Sequence, residues 1–392
     1  MDIERYPFSE TVKKNLLLNE REFREHKTVL KSYPIKIYVE PTQKCQLNCI
    51  TCDFSRRSEK DDMALDMFER IERELFPHVA EVNFYFVGEP TLAKNIRKMI
   101  AVSGKYSYLP KIFINANYLP DDLAEMFVRL GFFINVSFDA STKGAFEKIR
   151  RESNFESIIA NIRKLQKTQE RIGNARFHLR LACTIGLYNI EEAPRIVRLA
   201  ASMGLRDVMF GAYDSGAELE PGRSLGLDIQ RTVRCFKEAK EVADREKIRF
   251  SCPAQFGASM IMPNNNWNDF PLPIDRFAPF ELEGFNPFKG DCGYPWIEMG
   301  VRSNGLIVSC CQRVHEMGNY TNESFHDVWN NQRYQELRRQ KSFYQCLGRE
   351  CAMAVYSIWN TGTKRGAPEK TPRTAVKKKP AKRGRAGLSG GP

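Results

Sequence analysis

The chain has 392 residues, 42% of them apolar and 11% aromatic, which is enough for two domains with buried cores. Its formal charge is +12, and no run approaches the ~18 apolar residues of a membrane span. Residues 1–5 include three charged side chains and lack the apolar core of a signal peptide. The sequence argues against a membrane-spanning, a secreted and a wholly disordered protein, and we expect a cytoplasmic protein with no membrane partner.

The predicted elements begin with a charged helix at 9–31 and continue as short apolar runs that alternate with helical patterns. The predicted strands lie at 35–39, 81–87, 111–115, 132–138, 177–184 and 207–211. The clearest helical patterns between them lie at 65–76, 123–130, 155–166 and 190–203. This alternation predicts an α/β fold with a parallel sheet and crossover helices. Six units are too few for an eight-unit barrel, so we expect a partial (β/α)6 parallel barrel, with its chemistry at the carboxyl ends of the strands.

The pattern changes after residue 211, where a loop-like segment precedes a helix at 228–245 and a short strand at 248–251. Residues 253–291 are rich in Pro, Asn, Phe and Gly, and long irregular segments of this kind usually carry function. We expect the aromatic part at 270–288, with Tyr213 and Asp214, to shape a substrate cavity. The predicted segments are a helical extension at 1–34, a barrel at 35–250, a connecting segment with a cysteine-rich domain at 251–360, and a basic disordered tail at 361–392.

Three cysteines, Cys45, Cys49 and Cys52, follow the first predicted strand with the spacing C-x3-C-x2-C. Three thiolates on one loop can hold three irons of a cubane cluster and leave the fourth iron open to a cofactor or substrate. A zinc site would normally have a fourth local ligand, and the closest downstream histidine is His78. The spacing favours an iron–sulfur cluster over zinc and over chance placement.

This triplet after the first barrel strand resembles the hallmark of the radical S-adenosylmethionine (SAM) superfamily, and the resemblance covers about residues 33–211. Gly88, Glu89 and Pro90 are similar to the family's glycine-rich motif, whose backbone holds the methionyl amino group. Asn115 stands where relatives often carry Asn-Gly after the third strand. One departure is Thr51, because the family often has an aromatic residue before the last cluster cysteine.

The resemblance also implies the other contacts to SAM. Ser137 and Asp139 correspond to a stretch near the ribose, and Arg150 corresponds to an arginine near the methionyl carboxylate, a group that a guanidinium fork suits. Ile185 and Phe210 fall where the adenine is usually packed. Each motif has a plainer interpretation as a loop, a strand-end hydrogen-bonding group or a solvated helix residue; their order along the chain favours the cofactor interpretation.

A second cysteine group begins at Cys292, and the pattern C-x12-G-x4-C leads to Cys310 through a predicted hairpin that turns at Asn304 and Gly305. A helix is predicted at 325–340. This region resembles the SPASM/twitch extension of the same superfamily, which carries auxiliary 4Fe–4S clusters. The four cysteines named below imply one such cluster, and the alternative is a zinc site on the same thiolates. Cys311 is an alternative ligand to its neighbour Cys310. The expected ligands are Cys292, Cys310, Cys346 and Cys351.

The three remaining cysteines, Cys183, Cys235 and Cys252, stand alone, and buried structural cysteine is the default for each. Some radical epimerases use a thiol to return a hydrogen atom to the substrate. Cys183 and Cys252 are the candidates for that role.

The family resemblance implies an enzyme in which the open iron binds SAM and one electron breaks the C5′–S bond. The resulting 5′-deoxyadenosyl radical then takes a hydrogen atom from a substrate carbon. We expect oxidation or epimerisation of a small polar metabolite such as a sugar or aminocyclitol, with flavodoxin or ferredoxin as the electron donor. The alternative within the family is a maturase of a ribosomally made peptide; the first 34 residues are too short for a separate leader-peptide domain, which weakens that alternative.

The basic tail supports an alternative from another class, a non-catalytic iron–sulfur or zinc protein that binds nucleic acid. Residues 364–392 carry a net charge of +9, which leaves +3 for the rest of the chain. Basic arms bind phosphates, but no aromatic residue interleaves with these charges to stack on bases. The near-neutral body and the ordered cofactor motifs argue against a nucleic-acid partner.

Overall fold

The structure is a computed structural model, and it describes residues 7–52, 61–213, 224–252, 292–310 and 315–340. The strands are β1 Lys36–Val39, β2 Glu81–Asn83, β3 Leu109–Ile114, β4 Phe133–Ser137, β5 His178–Ile185, β6 Asp207–Ala212, β7 Arg249–Ser251, β8 Glu298–Val301, β9 Leu306–Val308 and β10 Glu316–Asn319. The helices are α1 Glu10–Arg24, α2 Leu65–Leu75, α3 Ile96–Ala101, α4 Asp121–Arg129, α5 Lys143–Ile149, α6 Phe155–Ile172, α7 Ala193–Ser202, α8 Ile229–Arg245, α9 Tyr294–Ile297, α10 Phe325–Trp329 and α11 Gln332–Gln340. None of the described helices is long and apolar enough to cross a membrane.

All of these strands form one sheet in the order β10-β9-β8-β1-β2-β3-β4-β5-β6-β7. Strands β1 to β7 pair in parallel with their neighbours, and crossover helices connect them. The sheet has two free ends in this order, which is the open, partial barrel that the sequence predicts. The core is apolar because parallel strands covered by helices are buried on both faces.

The six predicted barrel strands are all present, and the short run at 248–251 becomes a seventh parallel strand, β7. The second strand is shorter than predicted: it ends at Asn83, and 84–87 are not in a strand. The N-terminal helix ends at Arg24 rather than at 31, and the predicted helix at 325–340 divides into α10 and α11.

The predicted C-terminal hairpin is β8 and β9, which pair antiparallel around Asn304 and Gly305. Strand β8 also pairs in parallel with β1, with Val39 opposite Val301, so the hairpin continues the barrel sheet. Helix α1 packs nearby, where the Asn19 side chain donates a 2.7 Å hydrogen bond to the carbonyl of Trp296. The hairpin and the first barrel strand are therefore parts of one sheet.

Candidate functional site

A cavity of about 370 Å³ lies at the carboxyl ends of the barrel strands. Eight of the predicted site residues line it, and they come from four loops and strand ends and from the end of α5. They are Cys45, Cys49, Cys52, Gly88, Glu89, Asn115, Ser137 and Arg150. Motifs that are separated along the sequence therefore lie around one cavity.

The cysteine loop is held in place by backbone hydrogen bonds to two neighbouring segments. The amides on either side of Cys49 donate to the end of α5 and the segment that follows it: Asn48 to the Arg151 carbonyl at 3.1 Å and Ile50 to the Ile149 carbonyl at 2.9 Å. On the other side, the Glu89 amide donates to the Lys44 carbonyl at 2.7 Å. These bonds place the loop between the second-strand motif and the arginine segment.

The three thiols of this loop are half-buried. Burial raises the pKa of Cys45 to about 11. Burial also raises the pKa of Cys49, although the positive charge of Arg150 opposes that shift. Among the described residues, no three His, Cys, Asp or Glu side chains are close enough together to ligate a metal ion as they stand. Binding of iron requires thiolates, so cluster formation at this loop releases protons.

Gly88 is a glycine because the cysteine loop packs directly against it. Its φ is +70°, and a Cβ there would stand 2.6 Å from the Thr42 carbonyl oxygen and 2.9 Å from the Lys44 oxygen. Any larger residue would combine left-handed backbone strain with a clash against backbone that cannot move aside. The absence of a side chain at Gly88 therefore lets the loop after the second strand pack directly against the cysteine loop.

Glu89 is buried and joins the second strand's loop to the end of β3. One carboxylate oxygen accepts the Asn115 amide at 2.6 Å, and the other accepts the Thr91 hydroxyl at 2.7 Å. Burial raises the pKa of Glu89 to about 7, against the opposing effect of these hydrogen bonds. Pro90 begins the short 3₁₀ turn that follows and is not among the residues that line the cavity.

Asn115 faces the first cluster cysteine. Its Nδ2 lies 3.8 Å from the Cys45 sulfur and 3.2 Å from the Gln46 Oε1, while its Oδ1 accepts the Asn117 amide. The next residue, Ala116, has a φ of +56°, a left-handed conformation that glycine adopts without strain. This conformation explains physically why an Asn-Gly pair suits the position.

Arg150 and Asp139 form a buried ion pair at the edge of the cavity. Asp139 Oδ2 lies 2.7 Å from Arg150 Nη1, and its Oδ1 accepts the Thr184 amide at 2.7 Å. Burial would lower the pKa of Arg150, but the adjacent carboxylate raises it above its usual value. The Arg150 Nε is buried and, among the described residues, donates to no partner. A guanidinium that lines a cavity suits a carboxylate ligand.

Three further predicted residues lie behind this wall rather than on it. Asp139 contacts the arginine and the fifth strand, as described, and is not among the lining residues. Ile185 is buried in the core, and Phe210 packs edge-on against Phe250 with ring centroids 5.2 Å apart. The structure brings Thr184, the neighbour of Ile185, to the cavity instead.

The candidate hydrogen-donor cysteines, Cys183 and Cys252, are both buried. Neither is among the residues that line the cavity. Burial raises the pKa of Cys183 well above its usual value, and it raises that of Cys252 to about 12. Both therefore fit the structural role that buried cysteine has by default.

Of the predicted auxiliary ligands, the structure describes Cys292 and Cys310, which are buried at the start of the C-terminal segment and at the end of β9. Six further predictions fall outside the described residues. They concern Cys311, Cys346, Cys351, Asp214, the aromatic stretch at 270–288 and the basic tail.

Sequence reasoning missed Glu40, the residue after β1. Its side chain is fully buried, and Oε2 lies 2.8 Å from the Arg302 Nε in the C-terminal hairpin. The sequence contained a signal for it: an acidic residue that directly follows an apolar strand and precedes a cysteine loop is expected to be buried and to need a partner. The partner is 262 residues away along the chain, and sequence spacing does not reveal it.

The residues present suit an iron–sulfur cluster with SAM. Three thiols on one loop supply soft ligands for iron and leave one position open. Arg150, whose side chain is 12% exposed, lines the same cavity, and a guanidinium matches a carboxylate. The donor set and the buried cation together fit a cofactor that carries an α-amino acid.

Two family matches agree with this geometry. Residues 39–177 match the family described as the radical SAM superfamily, and residues 292–352 match SPASM, an iron–sulfur cluster-binding domain. The first match contains the cysteine loop and the arginine segment, and the second contains the C-terminal hairpin.

Two curated proteins are also similar to this chain. The tungsten-containing aldehyde ferredoxin oxidoreductase cofactor-modifying protein of Pyrococcus furiosus is 24% identical over 175 residues, which is 43% of this chain and 49% of that protein. An uncharacterized protein of Archaeoglobus fulgidus is 23% identical over 218 residues, 52% of this chain and 50% of that protein. The matched regions span about half the length of these relatives.

Solved structures share the fold. Streptococcus suis SuiB bound to S-adenosylmethionine superposes with a TM-score of 0.62 at 15% identity, over 87% of this chain and 75% of that one. Native anSMEcpe with bound AdoMet has a TM-score of 0.60 at 15% identity, over 83% of this chain and 91% of that one. At these identities the likeness concerns the fold. The chain carries a radical SAM domain, the domain of an enzyme superfamily that uses a 4Fe–4S cluster and SAM, and a SPASM domain for auxiliary iron–sulfur binding.

Proposed function

We propose that this protein cleaves SAM reductively and abstracts a hydrogen atom from a C–H bond of its substrate, in a net oxidation or an epimerisation. The observation that carries the proposal is the shared cavity. Its volume is about 370 Å³, and the three cysteines of one loop line it together with Arg150. When bound, the three-cysteine cluster and SAM supply a 5′-deoxyadenosyl radical, and the protein supplies binding, orientation and exclusion of water.

The proposed roles follow from the contacts. Cys45, Cys49 and Cys52 ligate the cluster. Arg150, held by Asp139 at 2.7 Å, binds the methionyl carboxylate through its remaining donors. The backbone next to Gly88 holds the amino group, and Ser137 lies on the wall where a ribose hydroxyl needs a partner. Cys292 and Cys310 take part in the auxiliary site, whose cluster would accept the substrate electron.

The first candidate substrate is the small polar metabolite that the sequence suggests. A ribosomally made peptide is the second, and the structural neighbours favour it: one is SuiB bound to precursor peptide SuiA, at a TM-score of 0.62, and another is anSMEcpe with a bound Cp18Cys peptide, at 0.59. Flavodoxin or ferredoxin is the proposed electron donor for either substrate.

Deuterium transfer tests the proposal and separates the two substrate classes. An extract of the native host grown in deuterated medium is divided into a small-metabolite fraction and a peptide fraction, and each is incubated anaerobically with reconstituted enzyme, SAM and dithionite. Mass spectrometry then measures deuterium in 5′-deoxyadenosine. We expect incorporation from the metabolite fraction; incorporation from the peptide fraction alone would establish the second candidate. Failure of both fractions to label 5′-deoxyadenosine would contradict hydrogen abstraction.

A further inference from the structure

The C-terminal hairpin contacts the cavity wall of the barrel through one buried carboxylate. Glu40 follows β1, and its side chain accepts hydrogen bonds from both sides of the junction. From the hairpin, the Arg302 Nε donates at 2.8 Å and the Ser303 amide at 3.0 Å to Oε2. From the barrel, the Gln43 side chain donates to Oε2 at 3.2 Å and the Val87 amide donates to Oε1 at 3.3 Å.

The barrel partners of Glu40 are themselves parts of the site. Gln43 lies two residues before Cys45 on the cluster loop, and Val87 precedes Gly88; both line the cavity. The carboxylate therefore connects the cluster loop and the glycine motif to the same point on the hairpin. The Ser303 hydroxyl also donates to Oε2 at 3.2 Å, and since the group is fully buried, these donors take the place of water.

The hairpin also packs directly against a third wall residue, Phe86. The Arg302 guanidinium lies 5.3 Å from the centroid of the Phe86 ring. A Cβ at Gly300, in β8, would stand 2.6 Å from the ring's Cε2, so the absence of a side chain there leaves room for the phenyl group. Phe86 lines the cavity as well.

From these contacts we infer that Glu40 is a positioning residue through which the SPASM hairpin sets the geometry of the SAM-binding wall. The role is separate from electron transfer by an auxiliary cluster, because it acts through hydrogen bonds of the hairpin backbone and of Arg302. It rests on the proposed function for the identity of the ligand, but the mechanical connection does not require a ligand.

Hydrogen–deuterium exchange of the iron-free, full-length protein tests the connection without cofactor. Glu40→Gln keeps the shape of the side chain and removes its charge. The matched control is Glu81→Gln, a buried carboxylate that lies 2.6 Å from Lys111 in β3, at the amino-terminal ends of the strands. We expect Glu40→Gln to speed exchange of the amides at 43–52 and 84–90 on the order of tenfold, the factor for losing a hydrogen bond to a charged group. Glu81→Gln should leave these amides unchanged.

In the holoenzyme, the KM for SAM is a measurement that general destabilisation would not change. At equal iron content, Glu40→Gln should raise the KM for SAM on the order of tenfold, whereas loss of folded enzyme would lower kcat with an unchanged KM. Arg302→Lys, which keeps the charge but not the fixed fork, should show a smaller change in the same direction and serves as the second variant if Glu40→Gln does not fold.

Equal exchange at 43–52 in the Glu40→Gln and Glu81→Gln proteins, or an unchanged KM in Glu40→Gln, would overturn the inference. The exchange result is independent of catalysis. If the unsubstituted enzyme formed no 5′-deoxyadenosine, the proposed function would fail while the measured connection between hairpin and cluster loop would stand.

Discussion

Asp139 Oδ2 lies 2.7 Å from Arg150 Nη1, and this ion pair joins the end of the fourth strand to the segment that also holds the cluster loop. The Asp139 side chain is 1% exposed and the Arg150 side chain 12%, so the carboxylate of the pair is shielded from water. The contact holds one edge of the guanidinium at Asp139, and Arg150 lines the cavity.

Replacement of Arg150 tests its proposed role in binding SAM. Arg150→Lys keeps the positive charge but loses the planar fork, so we expect the KM for SAM to rise by roughly tenfold with unchanged iron content. The matched control is Arg151→Lys, one residue further along the chain and exposed. Steady-state formation of 5′-deoxyadenosine measures both variants, and equal KM values for them would refute the assignment.

Replacement of Asp139 tests the ion pair itself. Asp139→Asn leaves a buried guanidinium without its counter-charge, which should lower the free energy of unfolding by about 3 kcal/mol. An exposed ion pair serves as the control: Asp122 lies 2.5 Å from Arg97 on the surface, and Asp122→Asn should leave stability unchanged. Urea denaturation of the iron-free proteins measures the difference, and equal midpoints would show that the Asp139 pair contributes nothing.

Substitution of two glycines with the same backbone conformation distinguishes the cost of backbone strain from the cost of a steric clash. Gly88 and Gly173 both have φ of +70°, but a Cβ at Gly173 meets nothing within 4 Å, whereas at Gly88 it would meet the cluster loop. Gly173→Ala should cost about 1–2 kcal/mol from left-handed strain alone. Gly88→Ala should cost about 1–3 kcal/mol more and also lower the iron bound after reconstitution.

Thermal unfolding and iron analysis measure these two variants together. If Gly88→Ala bound as much iron as Gly173→Ala, the packing of the Gly-Glu-Pro motif against the cysteine loop would have no bearing on the cluster.

The buried carboxyl of Glu89 makes stability depend on pH. Burial raises its pKa from 4.5 to about 7 in the folded protein. The folded state therefore binds more protons than the unfolded state between these values, and the Glu89 contribution is fully present below about pH 4.5 and falls as pH rises through 7. In the unsubstituted protein this effect should lower the free energy of unfolding by roughly 1–3 kcal/mol between pH 5 and pH 8, and Glu89→Gln should remove it. Parallel stability profiles for the two proteins would contradict the raised pKa.

Much of the barrel could be predicted from the sequence because its signals are local. Each parallel strand is a short apolar run with helical periodicity on both sides, and the cysteine spacing marks the end of β1. The second strand was predicted too long because 84–87 continue as an apolar run, with Phe84 buried in the core although it lies outside the strand. Apolar composition reports burial, and it does not report backbone pairing.

The long-range contacts of the site could not be predicted in the same way. The pairing of β8 with β1 and the contact of Glu40 with Arg302 join segments that the sequence separates by more than 250 residues. Ile185 and Phe210, which the resemblance places near the adenine, are buried in the core, and their contact with adenine stays a prediction. Strand side chains alternate between the two faces, so a shift of one position reverses the face. Thr184, the alternate neighbour, lines the cavity.

The central claim is most directly tested by anaerobic reconstitution of the full chain with iron and sulfide. Iron is counted, and 5′-deoxyadenosine is followed with SAM and dithionite, for the unsubstituted protein and for a variant with Cys45→Ala, Cys49→Ala and Cys52→Ala. Cys235→Ala, a buried cysteine in α8, is the control. We predict 5′-deoxyadenosine from the unsubstituted and control proteins and none from the triple variant, which should lose one cluster's iron. Zinc in place of iron, or SAM cleavage that persists in the triple variant, would contradict the account.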